Sequence, residues 1–116
     1  MLVVIDPTAA APVFDQIAGS VAAQVAAGVL VTGARLPAAR ELADMLGVNM
    51  HTVLRAYQAL RDDGVIELRR GRGAIVTGTA AGETVNEAVQ SAVAAARESG
   101  LTLQTLLSLI RKEYQA

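Results

Sequence analysis

The chain has 116 residues, enough for one domain with a small appendage, and 53% of them are apolar. It contains no cysteine, which excludes a disulfide framework, a cysteine zinc site and a thiol nucleophile. The net charge of −1 argues against a protein that binds nucleic acids through its overall charge. No apolar run reaches the roughly 20 residues of a membrane helix, and the start lacks the basic region of a signal peptide. We expect a soluble, cytoplasmic protein with no membrane partner.

The basic residues are concentrated in one part of the chain. Seven of the ten lie between positions 35 and 72, together with five acids, whereas the rest of the chain has three basic residues and six acids. A basic surface on an acidic body is the electrostatic footprint expected of a nucleic-acid-binding protein. The distribution of the charge therefore indicates where DNA would be contacted.

The residues before this basic region predict a short strand and a helix that would pack against the DNA-contacting part of the chain. Leu2 to Ile5 favours a short strand, and Pro12 is well placed as the first residue of a helix. Apolar residues recur every four positions from Val13 to Val25, which predicts one buried stripe along that helix. Gly28 is a natural left-handed end for it.

A helix, a tight turn and a second helix follow. Pro37 opens the first of these helices, which runs from about Ala38 to Leu46, and Gly47 ends it. Its predicted buried stripe consists of Leu42, Met45 and Leu46. Asn49 is a good N-cap for the next helix, because its side-chain oxygen can accept a hydrogen bond from the N–H of residue 51 or 52.

The helix after Asn49 has two distinct faces. Its inward face is predicted from the i, i+3, i+4, i+7 spacing of Val53, Ala56, Tyr57 and Leu60. The opposite face carries His51, Arg55 and Gln58, with Met50 and Leu54 at its margin. Polar and basic side chains would therefore point away from the core along this helix.

Two strand-like runs complete the basic region, Val65 to Leu68 and Ala74 to Thr77, with the sequence RRGRG between them. Two glycines in a five-residue connection permit positive φ and a tight hairpin tip. A helix-turn-helix followed by a β-hairpin is the order of elements in a winged helix-turn-helix, which is a DNA-binding module.

The chain after the hairpin predicts a separate helical region. The small residues 78–82 indicate a linker between a DNA-binding domain at 1–77 and a two-helix region at 83–116. Thr84 and Glu87 form a T-x-x-E capping box for the first helix, and Thr102 is predicted to cap the second. Such a pair cannot bury two apolar stripes within itself, so we expect a homodimer. The predicted dimerisation residues are Val85, Val89, Val93, Leu103, Leu106, Leu107, Ile110 and Tyr114.

Several blocks between residues 12 and 77 resemble the GntR family of bacterial regulators. They are PVFDQI at 12–17, GARLPAARELA at 33–43, LGVN at 46–49 and RGRG at 70–73, with Thr52-Val53, Ala56-Tyr57, Leu60 and Gly64-Val65-Ile66 between them. The two-helix tail resembles the YtrA-type subfamily, whose C-terminal region serves dimerisation. The resemblance implies a mainly α fold with a small β-hairpin: a winged helix-turn-helix domain followed by a short α-helical dimerisation region.

The resemblance also implies how DNA would be contacted. The helix after Asn49 would enter the major groove by its N-terminal end. Arg40 would read a guanine through paired hydrogen bonds to O6 and N7, and Arg35 would contact the DNA backbone. The hairpin tip would lie over the minor groove, where arginine senses the negative potential. The predicted DNA-binding residues are Arg35, Arg40, Asn49, Met50, His51, Thr52, Arg55, Arg70, Gly71 and Arg72.

Two positions depart from the family pattern. Ala38 stands where serine is usual, which removes a phosphate contact and a helix cap worth about 1 kcal/mol. Met50 stands where many members carry arginine, although proline is common in the YtrA type. One guanine contact is thus absent or replaced, and Asn49 and His51 are available to take over part of the readout.

The remaining function classes fit the sequence less well. An enzyme is disfavoured because the chain has one histidine, no cysteine and no G-x-x-x-x-G-K-[ST] phosphate loop. The single histidine also disfavours a metal site, and no cofactor is predicted. We therefore expect a homodimeric repressor of a near-palindromic operator in double-stranded DNA, by analogy that of a transporter operon. A winged-helix module that binds protein instead of DNA is the alternative, and a small-molecule effector between subunits is left open.

Overall fold

The computed structural model describes residues 1–116 and contains five helices and one β-hairpin. In chain order they are α1 (Val13–Ala26), α2 (Ala39–Leu46), α3 (Met50–Asp62), β1 (Ile66–Arg69), β2 (Gly73–Val76), α4 (Glu83–Glu98) and α5 (Leu103–Tyr114). This confirms the predicted mainly α fold with a small hairpin. The chain divides into two compact units, residues 1–81 and residues 82–116. None of the helices combines the length and the apolar character needed to cross a membrane.

α1 and α3 supply most of the core of the first unit. α1 buries Ile17, Val21 and Val25, and α3 buries Val53, Ala56, Tyr57 and Leu60. Both stripes match the helical spacing in the sequence, because residues three or four apart share one side of a helix. Leu42, Ile66 and Val76 complete the core from α2 and from both strands.

The buried side of α2 differs from the predicted one at Met45. The Met45 side chain is 68% exposed, whereas Leu42 and Ala43 are both buried. Successive residues of a helix are about 100° apart, so Met45 and Ala43 lie on opposite flanks of Leu42. The prediction for Met45 was wrong because hydrophobicity alone favoured the larger side chain, whereas the flank that carries Ala43 is the one that packs into the core.

The N-terminal segment is held to α1 by two glutamine side chains. The Gln24 amide accepts from the Leu2 N–H at 3.3 Å and donates to the Leu2 carbonyl at 2.8 Å. The Gln16 amide does the same for Asp6, at 2.8 and 3.0 Å. Val3 lies buried between these two clamps. The predicted short strand is therefore wrong, because side-chain amides and not a neighbouring strand satisfy the backbone.

The turn between α2 and α3 is defined by its two ends. Gly47 ends α2 with φ 68°, a left-handed conformation that glycine adopts without a Cβ clash. The side chain of Asn49 accepts a hydrogen bond from the His51 N–H at 2.8 Å, which confirms the predicted N-cap of α3. At the other end of α2, Ala38 provides no side-chain cap, as its sequence implied.

The β-hairpin, hereafter the wing, is joined along β2 by a third extended segment. β1 and β2 pair antiparallel along their whole length. Residues 33–36 run beside β2 through three hydrogen bonds: Gly33 N–H to the Val76 carbonyl (2.8 Å), Val76 N–H to the Ala34 carbonyl (2.8 Å) and Leu36 N–H to the Ala74 carbonyl (2.9 Å). The extended conformation of this segment was not predicted from the sequence, because four residues are too few to show the alternating pattern of a strand. It connects the wing to the chain just before α2.

The residues that follow the wing are bound to the first unit. The Gly78 N–H donates to the Val65 carbonyl at 2.9 Å, and the Gly78 carbonyl accepts from Thr32 Oγ1 at 2.7 Å. The Ala81 N–H donates to the Ala26 carbonyl at 2.8 Å. The segment that was predicted to be a flexible linker at 78–82 is therefore hydrogen-bonded to the first unit as far as residue 81, and the second unit begins at Gly82.

The second unit is a pair of helices with little core of its own. Ala96 is its only buried residue. Thr102 caps α5, because its side chain accepts from the Thr105 N–H at 3.2 Å, and this confirms the predicted cap. The capping box predicted at Thr84 is wrong: α4 begins at Glu83, with Gly82 at the N-cap position and no side-chain hydrogen bond. Thr84 thus lies within the first turn, past the position from which it could cap.

Candidate DNA-binding surface

The outer face of α3 carries the predicted reading residues. His51 and Arg55 are exposed on the side opposite the buried stripe, and Thr52 is half-buried. Met50 is half-buried against the core, so only part of its side chain is available to a ligand. Asn49 is exposed, but its side-chain oxygen is engaged in the cap of α3. The Asn49 amide nitrogen is the part of this side chain that remains for a base or a phosphate.

Arg40 lies in the first turn of α2, exposed and without an ion pair. The start of α2 is attached to α3 by Tyr57, whose hydroxyl donates to the Pro37 carbonyl at 2.7 Å. Burial, followed by the negative charge of Glu41, raises the pKa of Tyr57 to about 12. The sequence predicted Tyr57 only as a core residue. The hydrogen bond from its hydroxyl to the Pro37 carbonyl was not predicted, because no local sequence pattern around either residue indicates it.

The neutral phenol of Tyr57 predicts alkaline sensitivity. The folded protein holds this proton up to about pH 12, whereas the ordinary pKa is about 10. Above pH 10 the unfolded chain therefore binds fewer protons, and stability falls as pH rises from about 10 to about 12. The expected loss is on the order of 2 kcal/mol. Urea unfolding across this range measures it.

The matched background for that measurement is Tyr114→Phe, because the chain has two tyrosines and Tyr114 is 90% exposed. In this background, adding Tyr57→Phe should remove the alkaline loss, at the cost of the bond to the Pro37 carbonyl. An unchanged alkaline loss after Tyr57→Phe would assign the effect to another group.

The wing presents three arginines in different states. Arg69 is paired with Glu67, with Nη2 2.8 Å from Oε2. Arg70 and Arg72 are exposed and form no ion pair. Gly71 between them has φ 78°, which allows the chain to turn at the tip where a residue with a Cβ would be strained. Two guanidinium groups are therefore left free beside a glycine that permits close approach.

Arg35 lies beside β2, with its guanidinium next to Gly73 at the tip end of the wing. A Cβ built on Gly73 would be 3.8 Å from both Nε and Nη2 of Arg35, so the guanidinium passes directly over this glycine. Arg35 also pairs with Ile75 through an isolated β-bridge. Its side chain is exposed and has no carboxylate partner. The structure thus places Arg35 beside the hairpin that carries the wing arginines.

The three elements of this surface border a common groove. The start of α2, the middle of α3 and the wing enclose about 420 Å³, lined by apolar side chains and by Arg69 and Arg70. Arg55 is placed differently from the other predicted contacts, because its guanidinium carbon lies 3.8 Å from the centroid of the Phe14 ring on α1. The contact between Phe14 and Arg55 was not predicted from the sequence.

The second unit presents an apolar surface. Five of the eight predicted dimerisation residues line one groove of about 350 Å³ between α4 and α5, namely Val85, Val89, Val93, Leu106 and Ile110. Leu103, Leu107 and Tyr114 are exposed but do not line this groove. Leu106 is the only half-buried residue of α5, and no residue of α5 is buried.

The fold and the arginine-bearing surface define the class: a winged helix-turn-helix regulator. Residues 14–76 match the family described as "Bacterial regulatory proteins, gntR family". The chain belongs to the GntR family, as the sequence blocks between residues 12 and 77 predicted.

Three relatives illustrate the similarity. The chain is 36% identical over 76 residues to the HTH-type transcriptional repressor YtrA of Bacillus subtilis, covering 66% of this chain and 58% of that protein. It is 41% identical over 73 residues to the HTH-type transcriptional regulator Rv1152 of Mycobacterium tuberculosis, covering 63% and 60%. The solved structure of YtrA from Sulfolobus acidocaldarius, a GntR-family transcription factor, is 36% identical with a TM-score of 0.63, covering 81% of this chain and 99% of that one.

These relatives are transcription regulators and not enzymes, which confirms the predicted class of protein. The match spans about six tenths of the length of the two curated relatives. The family match ends at residue 76, so it concerns the winged domain.

Proposed function

We propose that the protein is a homodimeric, cytoplasmic repressor that binds a near-palindromic operator in double-stranded DNA. The observation that supports this most directly is the set of exposed arginines without ion pairs around α3: Arg35, Arg40, Arg70 and Arg72. Unpaired guanidinium groups on three adjoining elements form an anion-binding surface, and the winged helix-turn-helix fold presents such a surface to a duplex.

Each element would have its own part in binding. The N-terminal end of α3 would enter the major groove, with His51 and the Asn49 amide near base edges and Thr52 donating to a phosphate. Arg40 would read a guanine. Arg35 and the wing tip would follow the backbone into the flanking minor groove, where Gly71 allows close approach.

The second copy would dock on the apolar groove between α4 and α5. Val85 and Val89 are more than half exposed, and Ile110 is nearly half exposed. A helix that buries almost no side chain within its own chain gains its stability from a partner. A two-fold dimer places two winged domains on two half-sites, which is why the operator should be near-palindromic. A small effector would bind at this same interface.

The regulatory outcome is transferred from a relative. The Bacillus subtilis protein is a repressor, and we extend that role to this chain. Control of a transporter operon is a further extension by analogy within the family. Footprinting across the source genome would give the operator, the half-site spacing and the target genes together.

Selection from a random DNA library tests the proposal directly. The full chain should enrich an inverted repeat. Its affinity for that repeat should fall with salt by roughly 0.9 log units per log unit of salt for each phosphate contacted. Equal affinity for the enriched duplex and for random DNA would contradict sequence-specific readout. An absence of DNA binding at low salt would favour a protein-interaction module.

A further inference from the structure

The contact between Arg55 and Phe14 joins α3 to the first turn of α1. The guanidinium carbon lies 3.8 Å from the ring centroid, well inside the roughly 6 Å within which a cation is attracted to an aromatic face. Phe14 is half-buried against the core, so its ring is held from behind. Arg55 itself is exposed, forms no ion pair and donates no hydrogen bond within the chain.

A guanidinium stacked in this way remains a full hydrogen-bond donor. Its five N–H groups lie in the plane of the group and point outward, whereas the aromatic ring covers only one face. Stacking therefore restricts the rotamers of a long side chain without using any of its donors. The result is a cation whose direction is set in advance and whose donors all remain available to an anion.

The position of Arg55 on α3 indicates which anion its guanidinium would bind. It lies one helical turn after His51 on the exposed face, and Phe14 draws its side chain toward α1. It is thus displaced toward the edge of the recognition helix, where the wall of a major groove carries phosphates and not base edges.

We propose, resting on the DNA-binding function proposed above, that Arg55 binds a backbone phosphate and that Phe14 is the residue that positions it. Phe14 touches no DNA in this arrangement. It holds the guanidinium plane at the angle needed to donate two hydrogen bonds to one phosphate. The orientation of α3 in the groove is then fixed in part through an aromatic residue on α1.

Four variants of the full chain, bound to a mixed-sequence DNA duplex over a range of salt concentrations, test this. Arg55→Gln should weaken binding by about tenfold per subunit and reduce the salt slope by about 0.9. Phe14→Leu should weaken binding by about two- to fivefold, and Phe14→Tyr should restore it because the ring face is retained. Arg61→Gln is the matched control. It removes the same charge from α3, but Arg61 is paired with Asp62 at 3.3 Å, so its slope should stay near that of the wild type.

A double-variant cycle separates positioning from simple packing. In an Arg55→Gln background, Phe14→Leu should cause no further loss of DNA affinity, because the residue it positions is gone. Thermal unfolding of each variant keeps losses of stability apart from losses of binding.

Two results would overturn the inference. If Arg55→Gln and Arg61→Gln give the same affinity and salt slope, Arg55 is a packing contact between α1 and α3 only. If Phe14→Leu weakens binding equally with and without Arg55, Phe14 acts by another route. A wild-type chain that fails to bind the duplex at low salt would remove the proposed function as well, which distinguishes the two failures.

Discussion

A chain that ends at Ala81 is expected to be monomeric and to bind the operator about 10²- to 10⁴-fold more weakly than the full chain. The first unit keeps its entire core when α4 and α5 are removed, so it should still fold. What it loses is the tether between two winged domains, and bivalent binding to two half-sites gains affinity of this order without any new contact. Sedimentation gives the oligomeric state, and titration of the operator duplex gives the affinity.

Point variants in the full chain locate the interface within the helical pair. Ile110→Glu puts a charge into the apolar groove between α4 and α5 and should separate the subunits, because an unpaired buried carboxylate is strongly unfavourable. Gln104→Glu is the matched control on the same helix, since it adds the same charge at an exposed position outside this groove. A dimer of Ile110→Glu as tight as that of the wild type would place the interface elsewhere.

Arg40→Ala is expected to relax sequence preference at one base pair of each half-site by about 1–3 kcal/mol. A guanidinium that donates two parallel bonds to O6 and N7 distinguishes guanine from the other bases, and alanine cannot. Arg40→Lys should recover part of the affinity but little of the preference, because an ammonium is a point charge without the paired geometry. Titration against operators with each half-site position changed in turn measures the loss.

A substitution in the wing, Arg70→Ala, is the comparison for the Arg40→Ala experiment. Arg70→Ala should weaken binding to every duplex by a similar factor and reduce the salt slope by about 0.9 per subunit, as expected for a phosphate or minor-groove contact. It should leave the ranking of operator variants unchanged. If Arg40→Ala also leaves the ranking unchanged, Arg40 contacts the backbone, and the base readout belongs to the end of α3.

The faces of the long helices were predictable because their signal is periodic and local. The four buried residues of α3 follow from helical spacing, and the Asn49 cap follows from chemistry within two residues of the chain. The same reasoning failed for α2. Eight residues make about two turns, which is too short for the sequence to show whether Ala43 or Met45 is buried.

The arginines of the binding surface were all identified from the sequence, but their ion pairs and ring contacts were not. Glu67 and Arg69 share one face of β1, but the sequence does not show that they pair while Arg70 forms no ion pair. Nothing near Arg55 indicates a ring on α1. These differences depend on the direction in which each side chain leaves its element, and that direction is set by packing.

The sequence by itself determined the order of the five helices and the wing, the buried faces of α1 and α3, the cap of α3 and the family. Each of these rests on spacing or on neighbours within a few residues. Only the tertiary structure decided the clamps that Gln16 and Gln24 place on the N-terminal segment, the bond from Tyr57 to Pro37 and the stacking of Arg55 on Phe14. These contacts join residues well separated in the chain. They form because the packing of the N-terminal segment on α1, and of α1 and α2 on α3, fixes the distance and angle between the partners.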